Sequence, residues 1–291
     1  MELKVLLLSA LAVAATLSVV YMTSGSEKVE VNDQFTQFTR EHGRRYSSPQ
    51  EAEYRLSVFK QTLKLIEETN ARQSDFVTGV NQFSDLTFEE FKKFYLMEPL
   101  YNDMSDQTQW KLNADKKDWS AEGKVTPVKN QASCGSCWAF STTGALESAL
   151  AIKTGKLNQY SEQELVDCSR PYGNNGCNGG LMTYAFKYIH DKKIGTEEEY
   201  PYKARDMKCS SKQSDKRVTV KSHRILAKND VPTLVSEIEH TPVSVAIEVQ
   251  QDFMSYKSGV YKNDHCGTGL NHGVLAVGYN SEGNGYFIVK N

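Results

Sequence analysis

All six cysteines of this 291-residue chain lie after residue 133, at Cys134, Cys137, Cys168, Cys177, Cys209 and Cys266. What they can do depends on where the chain folds, and its first residues bear on that. Glu2 and Lys4 precede an apolar run from Val5 to Met22, broken only by Ser9, Thr16 and Ser18, and Thr23-Ser24-Gly25-Ser26-Glu27 is polar again. A lysine, an apolar core at the extreme N-terminus and small residues such as Ala12 and Ala14 fit a signal peptide over 1–22. The run also reaches the length of a short spanning helix, so an uncleaved signal anchor is the alternative. A buried globular helix is disfavoured because the run has no polar face. On either reading the remainder crosses a membrane, and cysteines in an oxidising compartment pair by default.

A zinc site needs clustered ligands, and only Cys134 and Cys137 stand at C-x-x-C spacing, so neither a metal nor another cofactor is expected. A thioredoxin-type redox motif is the rival reading of Cys134-Gly135-Ser136-Cys137, but it wants a preceding strand and no strand-like run precedes it. The net charge of −2 gives no footprint for nucleic acid or a polybasic membrane surface.

Residues 27–96 read as mostly helical. Phe35 and Phe38 begin an amphipathic segment stopping near Gly43, and a longer helix runs from about Pro49 to Asn70 with Leu56, Phe59, Leu63 and Ile66 on one face. Glu51, Arg55, Phe59, Ile66 and Asn70 share that period; alone, they describe a surface helix. Gly79 to Asp85 alternates like a short strand, and Thr87 with Glu90 suggests a capping box for a helix carrying Phe88, Phe91 and Phe94. Residues 97–117 read as an exposed linker open to proteolysis. Beyond Trp119, Cys137 opens an Ala-rich helix ending at Gly155, Ser161 and Glu164 cap another running to Cys168, and a Gly/Asn-rich loop at 173–180 precedes a helix over 181–190. Val218–Val220, Val243–Val249, Val274–Tyr279 and Tyr286–Val289 read as strands. The second part is thus a helical half followed by a β-rich half, an α+β arrangement.

A nucleophilic cysteine needs a lowered pKa, a base within reach and donors for the oxyanion. Cys137 at a helix start would have its thiolate favoured by the helix dipole, and His272 at a strand edge could be the base. The segment Gln131-Ala132-Ser133-Cys134-Gly135-Ser136-Cys137-Trp138-Ala139-Phe140-Ser141 resembles the signature of the papain family of cysteine proteases, with Leu270-Asn271-His272-Gly273-Val274 and Tyr286-Phe287-Ile288-Val289-Lys290-Asn291 downstream. The resemblance extends to Asp118-Trp119, Val125–Asn130, Gly176-Cys177-Asn178-Gly179-Gly180 and Tyr200-Pro201-Tyr202. Glu51, Arg55, Phe59, Ile66 and Asn70 resemble the propeptide helix of cathepsin L-like zymogens, with Thr62 where the family usually has Asn. Gly79, Asn81, Phe83 and Asp85 match its second propeptide motif.

The resemblance implies a two-lobed papain-like fold behind a helical propeptide, with a signal segment over 1–22, a propeptide over 23–112 and a peptidase domain over 113–291. It implies an endopeptidase zymogen destined for the secretory pathway, whether lysosome, digestive vacuole or outside. Cys137 would attack as a thiolate, His272 would be its imidazolium partner, Asn291 would orient the ring, and Gln131 with the backbone N–H of Cys137 would hold the oxyanion. Gly179, Gly180, Leu181, Met182, Ala246, Leu270 and Gly273 would bind substrate, forming an apolar second subsite. Cys134 would pair with Cys177, and Cys168 with Cys209. Polypeptide substrates, the chain's own propeptide and cystatin-type inhibitors are the implied partners. Ala132 replaces the usual Gly beside Gln131, which matters only if the backbone there needs a positive φ.

In the family the Asn at position 291 is followed by Ser-Trp-Gly and further strands, including a cysteine that would pair with Cys266. The sequence ends at Asn291, so it is expected to leave the β-rich half truncated and Cys266 unpaired. The alternatives to an active protease are therefore an inactive truncated form and a free propeptide inhibiting other cysteine proteases.

Overall fold

The computed structural model describes residues 30–101, 116–264, 266–282 and 285–291; the leader at 1–22 and most of the expected linker lie outside the described residues. Among the described residues no helix is long and apolar enough to cross a membrane. The chain divides into two compact units, Met1–Thr87 with Ser255–Gly259, and Phe88–Met254 with Val260–Asn291.

In the first unit a helix α1, over 30–41, precedes α2 (Pro49–Arg72). Ser48 starts α2: its hydroxyl accepts from Glu51 N, and Pro49 takes the first helical position, where no N–H is needed. Phe59 on α2 packs against the rings of Phe35 and Phe38 at 5.4 and 5.0 Å, so the aromatic positions of both helices make one core. Asn70 brackets Thr78, donating to its carbonyl and accepting from its N–H at 2.9 Å each, and so fixes strand β1 (Phe76–Thr78). β1 pairs antiparallel with β5 (Tyr256–Gly259). Arg55 donates to the Asp85 carbonyl, while Arg44 and Tyr46 hold the buried Asp85 carboxylate at 3.0 Å each. The positions that alone describe a surface helix are those tying α2 to the rest of its unit. Thr62 is buried and turns its hydroxyl back to Val58 O, so the departure from Asn is accommodated within the helix.

The strand expected over 79–85 is a correction. Asn81 Oδ1 accepts from Phe83 N and Ser84 Oγ accepts from Asn81 N, which curls these residues into a turn. The strand lies just upstream instead. Polar side chains able to bond their own backbone mimic alternation while favouring turns.

The second unit contains α3 (Phe88–Tyr95), β2 (Leu100–Tyr101), β3 (Lys116–Asp118), α4 (Cys137–Thr154), α5 (Glu162–Cys168), α6 (Met182–Lys192), α7 (Val231–Ile238), β4 (Val243–Ile247), β6 (Gly269–Leu270), β7 (His272–Asn280) and β8 (Tyr286–Lys290). α4 is its axis. Small residues let it be buried almost all round: Gly144 lies so close to β7 that a Cβ there would sit 2.8 Å from Leu275 Cδ2. Gly155 ends α4 at φ +74°, its N–H closing on Ala151 O. On one side α4 shares a core with Leu165, Tyr188 and Ile189; on the other it meets β7, the central strand, which pairs antiparallel with β3, β4 and β8. The helical and β-rich halves expected from the sequence are both present.

Three further expectations are refined. Ser161 caps α5 by accepting from Glu164 N, but the Glu164 carboxylate does not reach back; it is buried against Arg217, Tyr188 and Gly195 N. Val218–Val220 is not a strand: Val218 makes one bridge to Ile194, and the hydroxyl of Thr219 turns to the end of α6. Residues 97–101 are not free linker: Glu98 and Pro99 are exposed, but Met97 is buried, its N–H donates to Asn271 O at 2.7 Å, and β2 pairs with β6. Cys134 pairs with Cys177 and Cys168 with Cys209, as the resemblance implies, while Cys137 and Cys266 are free. With Cys134 bonded elsewhere, the C-x-x-C redox reading falls.

Candidate active site

Cys137 is the first residue of α4, directly after the loop pinned by the Cys134–Cys177 disulfide. Its sulfur accepts a hydrogen bond from Gly273 N at 3.3 Å, which places the start of β7, and with it His272, beside the start of α4. Glycine eases this approach, because a Cβ on Gly273 would lie a tight 3.2 Å from both Trp138 Cα and Met182 Sδ. Cys137 is fully buried and His272 nearly so.

That burial works against charge on either group while the site is closed. Desolvation pushes the Cys137 thiol up to about 11, although the N–H groups of Gly273, Trp138 and Cys137 itself pull the other way. Desolvation likewise pushes His272 down to about 4, and its buried Nδ1 has no hydrogen-bond partner. In the closed site, loss of water thus disfavours the charged forms of both Cys137 and His272.

The residues after α3 exclude that water. Met97 packs in the core cluster containing Cys137 and Trp138, and Leu96 is also buried. The Tyr95 carbonyl accepts from Gln131 Nε2 at 3.0 Å, and the same nitrogen donates to Cys134 O at 2.9 Å. A backbone carbonyl thus rests on the side-chain donor expected to hold an oxyanion. An open cavity of about 590 Å³, lined by Tyr160, Thr196, Glu197 and Lys216 among others, includes none of these residues.

Asn291 follows Lys290, whose ammonium donates to Thr126 Oγ1, and its own Nδ2 donates to Gln131 Oε1 at 2.9 Å. It is brought to Gln131 rather than hydrogen-bonded to the imidazole. Of the expected substrate-binding residues, Gly179 (φ +111°) would bring a Cβ within 3.2 Å of Met97 Cβ, and a Cβ on Gly180 would meet Trp138 and Asn174. Leu181 N donates to Asn174 Oδ1, Met182 lies against Gly273, Ala246 pairs with Gly273, and Leu270 pairs with Leu100. Sequence reasoning missed Asn174, which shapes this wall, and the cleft-filling residues 95–97.

Ala132 adopts φ +48°, the left-handed region, with its N–H held by Asn130 Oδ1 at 2.8 Å. A Cβ is strained there by about 1–2 kcal/mol, and glycine gives back part of that gain through unfolded-chain entropy. Ala132→Gly should raise stability by up to about 1 kcal/mol in chemical denaturation. A loss of stability would show that this backbone is not strained.

Comparison with known proteins matches residues 113–291 to the papain family cysteine protease model and residues 35–91 to the cathepsin propeptide inhibitor domain. Pro-cathepsin H of Bos taurus is 44% identical over 268 residues, covering 88% of this chain and 80% of that protein. The thiol protease aleurain of Arabidopsis thaliana is 41% identical over 271 residues, covering 88% of this chain and 75% of its own length. Among solved structures, digestive procathepsin L 3 of the Tenebrio molitor larval midgut superposes with a TM-score of 0.80 at 37% identity, covering 90% of this chain and 88% of that one.

Proposed function

We propose, for a chain that belongs to the papain family of cysteine proteases and carries a cathepsin propeptide inhibitor domain, that Cys137 is the nucleophile of the peptide-bond hydrolysis and is held latent by residues 95–101. The observation that carries this reading is the Tyr95 carbonyl on Gln131 Nε2, with Met97 packed in the cluster around Cys137. With that segment gone, water and substrate reach the pair, and His272 takes the thiol proton. The thiolate attacks the scissile carbonyl, the oxyanion is held by Gln131 Nε2 and the Cys137 N–H, and His272 then protonates the leaving amine. Water hydrolyses the thioester. Asn291 reaches the same machinery through Gln131. Gly179, Gly180, Leu181, Met182, Ala246, Leu270 and Gly273 form the substrate wall, whose apolar members suit a bulky apolar side chain. Polypeptides are the substrates, and cystatin-type proteins are inhibitors that would compete for the same cleft.

The division into a leader over 1–22, a propeptide over 23–112 and a peptidase over 113–291 is part of this proposal. So is passage through the secretory pathway to a lysosome-like compartment or outside, which the leader pattern and two disulfides support. Incubating the purified precursor at about pH 4–5 should yield a shorter band whose N-terminus lies within 108–117, together with activity on a Phe-Arg reporter peptide. An intact, inactive chain after that treatment would refute the proposal.

A further inference from the structure

One hydroxyl joins the two walls that meet at the Cys137 sulfur. Tyr202 Oη donates to the backbone carbonyl of Gln131 at 2.7 Å and lies 2.6 Å from Ser136 Oγ. The carbonyl can only accept, so the single phenolic proton belongs to that bond, and Ser136 is the donor to Tyr202 at 2.6 Å, its other acceptor, Cys134 O, being farther at 3.4 Å. Ser136 is the residue that opens α4. Serine there ordinarily turns its oxygen inward and accepts from the first-turn amides, yet here it makes no side-chain cap. Its hydroxyl is turned to Tyr202 instead, and at this same helix start Gly273 N donates to the Cys137 sulfur. Tyr202 is itself fixed. Its N–H donates to Glu197 Oε1 at 2.8 Å, and its ring meets Phe140 edge-on at 4.9 Å.

We propose that Tyr202 is a positioning residue for the oxyanion pocket: its hydroxyl ties the backbone of Gln131 to Ser136, so that the Gln131 amide and the first amides of α4 converge on one point beside Cys137. The inference rests on the proposed roles of Cys137 and Gln131. Without the hydroxyl, the 130–133 loop loses its tie to α4, and Ser136 is free to turn inward and cap the first-turn amides of α4. Transition-state stabilisation depends on those donors being aimed in advance, so the deficit belongs in turnover rather than in substrate binding.

The test uses the full chain after acid processing. Tyr202→Phe keeps the ring and its contact with Phe140 and removes only the hydroxyl. We expect kcat to fall about tenfold with KM nearly unchanged, less than the hundredfold or more lost with an oxyanion donor itself. The midpoint of the pH profile for iodoacetamide alkylation of Cys137 should move upward. In a Ser136→Ala background, where nothing can turn inward, the same substitution should cost less, and Ser136→Ala alone should lower kcat in the same direction if Tyr202→Phe fails to fold. Unchanged kcat in both single variants, or a loss of kcat that only mirrors a loss of melting temperature, overturns the proposal. Stoichiometric labelling of wild-type Cys137 by an epoxide probe reads the nucleophile separately, so failure of that assignment is distinguishable from failure of the positioning role.

Discussion

Cys137→Ala should lower turnover of a Phe-Arg reporter by about a millionfold, the scale on which removing a covalent nucleophile acts when no other group can replace it. The fold should survive the change. Cys137 makes no disulfide, and its sulfur receives a single described side-chain hydrogen bond, from Gly273 N. The variant precursor should also remain uncut in acid when no active enzyme is added. Residual turnover within a hundredfold of wild type would mean that another group carries the chemistry.

The largest expected loss of stability lies at Lys129. Its ammonium sits 2.8 Å from Glu147 and 2.5 Å from Glu162, both carboxylates essentially without solvent. Thr126, Thr143 and the Tyr160 N–H complete the cluster. Burial pushes Glu162 up, and Glu197 beside it is raised to about 7, again chiefly by burial. For Lys129 burial works against the charge, but Glu162 and Glu147 outweigh it and hold the ammonium above its ordinary value. Glu147 adds to the burial effect at Glu162, and Lys290, on Thr126 Oγ1, is a second cation at the edge of the cluster. Lys129→Met removes the nearest cation and should cost roughly 3–5 kcal/mol in chemical denaturation at neutral pH. Neutralising the carboxylates as well, in Lys129→Met/Glu147→Gln/Glu162→Gln, should restore much of the loss. A loss under about 1 kcal/mol for the single variant would show that the cluster behaves like a surface ion pair.

The proposed nucleophile, base and oxyanion donor could be picked out from sequence because they sit inside contiguous motifs, Gln131 to Ser141 and Asn271 to Val274. α2 and α4 were legible because their boundaries carry local signals, Ser48-Pro49 at one start and Gly155 at the other end. The turn at 81–84 and the single bridge at Val218 were misread because residue types that suit strands also suit turns and bridges. Long-range partnerships left no local trace. Nothing near Tyr202 announces Gln131, and nothing near Asn70 announces Thr78 as its partner on β1. Residues 95–97 were hidden for the same reason, since their role exists only against Gln131, Cys137 and Asn271. Nor could composition foresee how deeply Cys137 is buried at the start of α4.

That burial gives latency a pH dependence with a definite sign. Closed, His272 has its pKa lowered to about 4; in water its ordinary value is 6.5. Between those values an open site binds a proton that the closed site does not. Closure is therefore fully favoured above 6.5 and loses roughly 3 kcal/mol as pH falls to about 4. Cys137 sets the other limit: a thiol raised from 9.0 to about 11 weakens closure as pH rises through that range. Glu197 runs opposite to His272, since a carboxyl raised to about 7 keeps its proton in the folded body and adds stability as pH falls from 7 toward its ordinary 4.5. Acid is thus expected to open the cleft without undoing the body that contains it.

The most direct test is the rate at which an epoxide probe labels Cys137 in uncleaved precursor, given in brief pulses from about pH 7 to about pH 4 and read on chains verified as full length. The account predicts almost no labelling near pH 7, a rise as pH falls through 6.5, and none at any pH in Cys137→Ser. Full labelling at neutral pH with residues 95–101 still attached, a rate that does not change with pH, or label retained in Cys137→Ser would contradict it.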